Sequence, residues 1–365
     1  MLKFIKKEPV LCVATLAALV SMFFVKPGKQ YLGYIDLPVI ILLFCLMFVV
    51  SGMMKANLFN VISSKMLKAT SDSRKIAIIL VNITYLSAMF ITNDVSLITL
   101  VPLTVGIFKG KDSKNLIPLV ALETVAANLG SMIMPFGNPQ NLYLYSYYEM
   151  NALKFITTVL PLGVVSLVLI NITVIILIKK EELLSQTTDE KIKDKSKFII
   201  YIVLFVICVL TVFKIINTYV CLGVVAIIGL IADRKIFLKV DYNLLLTFCA
   251  FFVFVGNLGN IAVVKDFVAK MLENREFIVG VLASQVISNV PAAIMLSGFT
   301  ESAQALLLGV NIGGLGTLVA SLASLISYKQ YSLAEGADMK KYLFVFTVIN
   351  VAFLALICPL YFVLY

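Results

Sequence analysis

Two halves of this chain interrupt their apolar runs with closely similar polar words. Thr92-Asn93-Asp94 sits inside one long apolar run, and Asn128-Leu129-Gly130-Ser131 with Pro135-Phe136-Gly137-Asn138-Pro139-Gln140-Asn141 interrupts the next. In the second half, Ser288-Asn289-Val290-Pro291 is followed by Asn311-Ile312-Gly313-Gly314-Leu315-Gly316-Thr317. Polar residues, Gly and Pro at membrane depth leave backbone groups without partners unless protein or an aqueous cavity covers them. Matched interruptions in two halves of an apolar chain point to a central transport site.

That the runs are membrane runs follows from composition. Of 365 residues, 61% are hydrophobic and 14% charged, far outside the soluble globular norm. The net charge of +10 is spread over short loops and makes no basic stripe, so a nucleic-acid partner is not expected. All six cysteines fall in apolar segments without metal or redox spacing, and histidine is absent. Haem ligation, HExxH metalloprotease chemistry and Ser–His proteolysis are therefore excluded. No P-loop, GxSG or paired catalytic Asp motif is present, so neither ATP-driven pumping nor a membrane enzyme is expected. Met1–Val25 resembles a signal peptide but lacks a convincing cleavage site, and it is read as a retained helix.

Apolar runs fall at about 8–25, 34–54, 75–109, 116–146, 155–178, 198–213, 219–232, 242–260, 276–299, 302–328 and 341–364. The arms of 276–299 around its Asn are too short to cross ~30 Å of hydrocarbon at ~1.5 Å per residue, so a re-entrant hairpin is expected. The run 75–109 is longer, and two short spans compete there with a second hairpin. Amphipathic stretches at 56–74 and 263–275 precede the two hairpins and read as interfacial helices. A Gly-broken helix follows each hairpin, at 116–146 and 302–328. The fold expected is an all-α polytopic membrane protein of about 9 full spans and 2 hairpins. Its domains are a first repeat over 1–178, a cytoplasmic linker over 179–197 and a second repeat over 198–365.

Charge sets the orientation. With the N-terminus inside and the C-terminus outside, 23 of the 30 Lys and Arg lie on the cytoplasmic side. The same path opens the first hairpin to the cytoplasm and the second to the outside, so the repeats are expected to be inverted.

Half-helix N-termini suit anions, and freed carbonyls with Asn, Ser or Thr oxygens suit Na⁺. The candidate binding residues are Thr92, Asn93, Asp94, Gly130, Ser131, Gly137, Asn138, Pro139, Asn141, Ser288, Asn289, Pro291, Gly313, Gly314 and Thr317. Candidate Na⁺ ligands are Asn93, Asp94, Gly130, Asn289 and Gly314; no other cofactor is expected, and H⁺ is the alternative coupling ion. Taken singly, Gly130 or Gly314 could equally be a close-packing residue of a membrane helix. No Lys or Arg lies in these four words, so an anion would be held by dipoles, amides and co-bound cations. Asp94 and Glu123 are the carboxylates deepest in apolar sequence, where proton or cation coupling is the usual role. Glu123 is read as close enough to the cytoplasmic end to reach water or a loop lysine. Asp36, Asp241 and Glu301 read as solvated, and Tyr143, Tyr145, Tyr147 and Tyr148 as an interfacial belt.

The segments ITNDVSLITLVPLT (91–104), NLGSMIMPFGNPQNLYLY (128–145), SQVISNVPAAIMLSG (284–298) and GVNIGGLGTLVASLASLISYK (309–329) resemble the citrate-transporter-like permeases of the ion transporter superfamily. That group includes divalent anion:sodium symporters, arsenite permeases and certain sodium/proton antiporters. The family's Ser-Asn-Thr tip motif resembles Thr92-Asn93-Asp94 and Ser288-Asn289-Val290. Asn93-Asp94 and Asn289-Val290-Pro291 are closer to the tips of the arsenite permeases. Asp94 and Val290 replace the hydroxyl typical of dicarboxylate symporters, and SLASLIS lacks an Asn-Pro pair. The resemblance implies a homodimer with a scaffold and a mobile transport domain in the cytoplasmic membrane. Function is read as secondary transport of a small anion, citrate or another carboxylate, coupled to Na⁺ or H⁺. Arsenite efflux or Na⁺/H⁺ antiport is the same-fold alternative, and an ion channel fits the Gly-broken pairs less well.

Overall fold

The computed structural model describes residues 8–57, 61, 64, 70–108, 113–182, 192 and 194–365. Among them are seventeen α-helices and one 3₁₀ helix, and no strand beyond an isolated bridge between Asp72 and Glu182. Much of the expected interfacial helix 56–74 and linker 179–197 lies outside the described residues, as do the first seven residues.

The helices are α1 Pro9–Ser21, α2 Gln30–Tyr34, α3 Leu37–Lys55, α4 Ser73–Ile91, α5 Asn93–Ile107, α6 Ser113–Ser131, α7 Pro139–Tyr147 and α8 Ala152–Leu177. Then come α9 Lys195–Val212, α10 Thr218–Ala232, the 3₁₀ helix Arg234–Lys239, α11 Tyr242–Gly259, α12 Ala262–Leu272, α13 Glu276–Ile287, α14 Asn289–Ser297, α15 Ala303–Ile312, α16 Leu322–Ser332 and α17 Met339–Leu364. Six of them, α3, α4, α8, α9, α11 and α17, are long and apolar enough to cross a membrane. That is fewer than the nine or so expected, because caps shorten the apolar runs. The run 8–25 is helical only to Ser21, and 219–232 yields 15 residues between Asn217 and Asp233, whose side chains cap the neighbouring helix starts. The interruption at 132–138 divides 116–146 into α6 and α7.

Burial follows from position in this bundle. Helix α6 packs against α4, α5, α8, α16 and α17, so Leu119 to Ser131 are wholly enclosed by protein. The long helices α8, α9 and α17 turn apolar side chains such as Ile176, Val203 and Phe344 outward, as lipid-facing helices do. Helix α12 likewise exposes Val263 and Phe267, the apolar face of an amphipathic helix. Helices α1 and α12 pack on α11, and α9 and α10 pack on α3, forming a second group of helices beside the α6 group.

Helix ends expected on one membrane side meet in space. Lys55 pairs with Asp233, and the α8 end binds the α4 start through Arg74 Nε to Ile178 O at 2.9 Å and Ser73 Oγ to Lys179 O at 2.8 Å. Asn115 and Lys179 exchange two hydrogen bonds of 3.0 Å. At the opposite ends, Tyr365 donates to Thr158 O, and Tyr148 donates to Thr300 O at 2.9 Å.

Candidate functional site

Both tips use one backbone device. Thr92 (φ 94°, ψ 147°) and Ser288 (φ 74°, ψ 152°) each stand between two helices in the left-handed half of backbone space. A β-branched residue there carries a strain of ~1–3 kcal/mol, so the surrounding packing must impose it.

The residue after each tip is anchored alike. Asn93 N–H donates to Gly137 O at 3.2 Å, and Asn289 N–H donates to Ala320 O at 2.9 Å. The residue following each of those carbonyls caps the second part of a broken helix. Asn138 Oδ1 accepts from Asn141 N–H at 2.9 Å, and Ser321 Oγ accepts from Ala323 N–H at 3.2 Å. Asn128 precedes Asn138 by ten residues, and Asn311 precedes Ser321 by ten. Ser321 therefore supplies the cap that the missing Asn-Pro pair left unexplained, because a hydroxyl serves a helix N-terminus as an amide does.

An amide network joins the two halves. Asn93 Nδ2 and Ser321 Oγ donate to Asn128 Oδ1 at 3.3 and 2.9 Å, and Asn128 Nδ2 reaches Gly314 O at 3.4 Å. Asn138 Nδ2 donates to Ser131 Oγ and Asn311 Oδ1, both at 3.1 Å, and Asn311 Nδ2 donates to Asn141 Oδ1 at 2.6 Å. Asn141 Nδ2 in turn takes up the carbonyl of Met132 at 3.1 Å. Carbonyls freed by the first break are thus covered by protein, as hydrocarbon requires. Gln285, one turn before the second tip, does the same for the other break. Its Nε2 donates to Gly313 O at 2.7 Å and Leu315 O at 2.9 Å, while Oε1 accepts Thr317 N–H at 2.9 Å.

The two proline positions are compatible with helix starts. Pro139 is the first residue of α7 and Pro291 the third of α14, where an N–H donor would have no intrahelical partner. Gly130 permits α4 and α6 to touch, since a Cβ there would stand 2.3 Å from Tyr85 O. A Cβ on Gly314 would stand 2.9 Å from Asn289 Nδ2, and one on Gly313 would stand 2.8 Å from Ser284 Oγ.

The candidate residues do not all share one chamber. Thr92, Asp94, Asn138 and Pro139 line a cavity of about 870 Å³ with Met47 and Val50 of α3, Phe136, and Asp241 with Lys235 and Lys239. Ser288 and Asn289 are buried against Ala320, and Thr317 is exposed beside Gln285. Sequence reasoning missed Asn128, Asn311, Ser321 and Gln285 as site members. The first two were already visible in the polar words, and Gln285 is a lone amide in an apolar helix.

Two readings need correction. Glu123 is fully buried, ten residues into α6, with Oε1 accepting from Thr104 Oγ1 at 2.7 Å, and so does not reach water as expected. Tyr143 and Tyr145 are core residues, because Pro139 to Tyr145 of α7 are buried, and Tyr143 bonds Ser297 Oγ at 2.8 Å. Asp241 is exposed as expected and Asp36 half-buried, and both also serve as caps, accepting from Leu244 N–H at 3.0 Å and Val39 N–H at 3.1 Å.

The all-helical architecture, with polar groups enclosed at interrupted helices, is that of an integral membrane transporter. Residues 4–308 match the family described as Citrate transporter (CitMHS), and the chain belongs to that family. It is 36% identical over 289 residues, 79% of each chain, to the uncharacterized transporter MJ0456 of Methanocaldococcus jannaschii. It is 29% identical over 312 residues to the inner membrane protein YbiR of Escherichia coli, covering 85% of this chain and 84% of the relative. A more partial likeness, 28% over 145 residues, joins it to the silicon efflux transporter LSI3 of Oryza sativa, covering 40% of this chain and 30% of that one.

Proposed function

We propose that this protein is a secondary active transporter that moves a small anion, citrate or another carboxylate, across the cytoplasmic membrane, coupled to Na⁺ or H⁺. The observation that carries this reading is the side-by-side docking of helix N-termini. The Asn93 start of α5 lies against the Gly137-Asn138 start of α7, and the Asn289 start of α14 against the Ala320-Ser321 start of α16. Each N-terminus presents roughly half a positive charge, so a docked pair favours an anion or a bound carboxylate nearby. No Lys or Arg lies within the tip and break segments themselves, and the cations nearest the first tip are Lys55, Lys235 and Lys239 across the cavity. Oxygens of Asn93, Asp94, Asn289, Gly130 and Gly314 would hold Na⁺.

The matched devices at Thr92 and Ser288 support two inverted repeats, 1–178 and 198–365, with re-entrant hairpins opening to opposite sides. The meeting of Lys55 with Asp233 and of Arg74 with Ile178 supports a cytoplasmic end rich in basic residues, with the N-terminus inside. In an elevator-type cycle the α4–α7 and α13–α16 groups would move against α3, α9, α10 and α11, in a homodimer.

A second reading, arsenite efflux or Na⁺/H⁺ antiport, is favoured by Asp94. Its carboxyl lines the cavity together with Asp241, and two carboxylates facing one chamber suit a cation or proton. A relative bearing the name silicon efflux transporter is compatible with outward transport. Uptake and efflux in proteoliposomes, across a panel of carboxylates and arsenite with Na⁺ and pH gradients imposed separately, separates the two. Citrate accumulation driven by either gradient supports the first reading; arsenite transport alone replaces it with the second. In the same vesicles Asp94→Asn should change the Na⁺ or pH dependence of transport while the protein still assembles, and unaltered profiles would leave Asp94 a structural residue.

A further inference from the structure

Glu123 is the most enclosed carboxylate described in the chain. It is 0% exposed, and α6 begins at Ser113, so ten residues place it roughly 15 Å into the bundle, half the thickness of a hydrocarbon core. Thr104 Oγ1 of α5 occupies Oε1 at 2.7 Å, while Oε2 is buried without a hydrogen-bond partner. The Thr84 hydroxyl also interacts with the carboxyl, while its closest partner and those of the remaining hydroxyls lie elsewhere. Thr84 donates to Leu80 O at 2.8 Å, and Thr124 donates to Ser327 Oγ at 2.6 Å, which bonds the Tyr342 hydroxyl at 3.1 Å.

Among the described residues no cation is paired with this group. Of the titratable groups on the elements packed around α6, Tyr342 of α17 is the one that interacts with Glu123. Tyr85 of α4 gives its hydroxyl to Gly163 O at 2.8 Å. The charged residues of these helices stand at their ends: Arg74 and Lys75 of α4, Asp94 of α5, Lys154 of α8, Lys329 of α16, and Lys340 with Lys341 of α17. Lys114 at the start of α6 is nine residues away along the helix, and α16 adds the phenols of Tyr328 and Tyr331. An ionised carboxylate at this depth without a counter-charge is strongly disfavoured.

We propose that Glu123 is a proton-binding site of the transport core, separate from Asp94 and the amide network. The proton sits on Oε2, the atom without a partner, and Oε1 keeps the Thr104 hydrogen bond in both states. Binding converts the carboxylate to the neutral acid and forms one O–H bond; no other atom is transferred. Because Thr104 lies on α5, whose first residue is Asn93 at the tip, charge at Glu123 acts on the helix that carries the tip. Protonation then lets the α5–α6 pair remain in a dry environment, and release requires exposure to one side of the membrane. The coupling part of this proposal rests on the transport reading; the proton site itself does not.

Infrared difference spectroscopy on the purified full-length protein tests the site. Between about pH 5 and pH 9 wild type should give a protonated-carboxyl band that titrates and shifts in D₂O. Glu123→Gln should lose it and Asp94→Asn should keep it. A band unchanged in Glu123→Gln, or one that does not titrate, overturns the proposal, and so does a band removed by Na⁺ at constant pH. In proteoliposomes the ratio of pH-driven accumulation to exchange, with citrate and arsenite as probes, should fall roughly tenfold or more in Glu123→Gln. A preserved ratio removes the coupling role. If wild type transports neither probe, the substrate reading fails while the spectroscopic result still decides the proton site.

Discussion

At the scale of single residues, the site depends on a few positions where one atom decides the outcome. Gly130 lets the Tyr85 carbonyl approach to where a Cβ would stand at 2.3 Å, and that neighbour is backbone, so it cannot swing aside. Gly130→Ala should therefore lower stability by about 1–3 kcal/mol through overpacking. Thermal unfolding in detergent reads this directly, and an unchanged midpoint would mean that α4 shifts freely against α6. Thr92 behaves in the opposite sense. Its φ of 94° suits glycine, so Thr92→Gly should raise stability by ~1 kcal/mol while loosening the tip that Asn93 needs for transport. Asn93→Ala and Asn289→Ala should each abolish transport with expression and assembly largely retained. Normal transport by both variants would remove the tips from the site.

At the scale of elements, the helix starts hold the break regions open, and their caps are separable from the chemistry. Asn138→Ala and Ser321→Ala each remove a side-chain acceptor from a helix N-terminus, a loss of about 1 kcal/mol. Asn138→Ala should be the more damaging, because that amide also bridges Ser131 and Asn311. Equal midpoints for the two variants would show that the bridge contributes nothing. Two caps lie outside the spans and titrate. The Asp233 carboxyl is held below its ordinary range, chiefly by the Lys55 hydrogen bond and against some desolvation, with the Lys235 amide adding to it. At Asp72, desolvation pulls upward but is outweighed by the Lys75 and Arg74 amides and by Lys180. A carboxylate with a depressed folded pKa stabilises the fold above its unfolded value near pH 4, and this is lost as pH falls through the folded value. Acid titration of unfolding should therefore flatten below about pH 4 in an Asp72→Asn, Asp233→Asn double variant. An acid limb identical to wild type would contradict it.

At the scale of the whole molecule, helix ends that the basic-residue count assigns to one side, such as those of Lys55 and Asp233, meet in space. Single cysteines introduced in 179–197 should be labelled only from the cytoplasm, and those beside Asp266 or Lys270 only from outside. Labelling of both from one side is incompatible with inverted repeats. Much of this was legible beforehand. Interruptions at Thr92-Asn93-Asp94 and Ser288-Asn289 appear as helix breaks at those residues, because a polar run at membrane depth has few ways to satisfy its backbone. Helix lengths were less legible. The caps at Asn217 and Asp233 shorten an apolar run that hydropathy alone reads as a span.

What the amino-acid sequence determined by itself was class, family resemblance and the location of the breaks, since these depend on local composition and on matched motifs. Tertiary structure decided which polar group faces which. Glu123 reads like a residue near water until α6 is seen surrounded by α4, α5, α8, α16 and α17, and Tyr143 reads like an interfacial ring until Ser297 is found against it. Asn128 joins Ser321 across 193 residues of chain. No local pattern encodes such a contact, because it exists only once two distant helices are packed at one distance and one rotation. Hydrophobic burial sets that distance without direction, and the hydrogen bonds of the amide network then select the rotation.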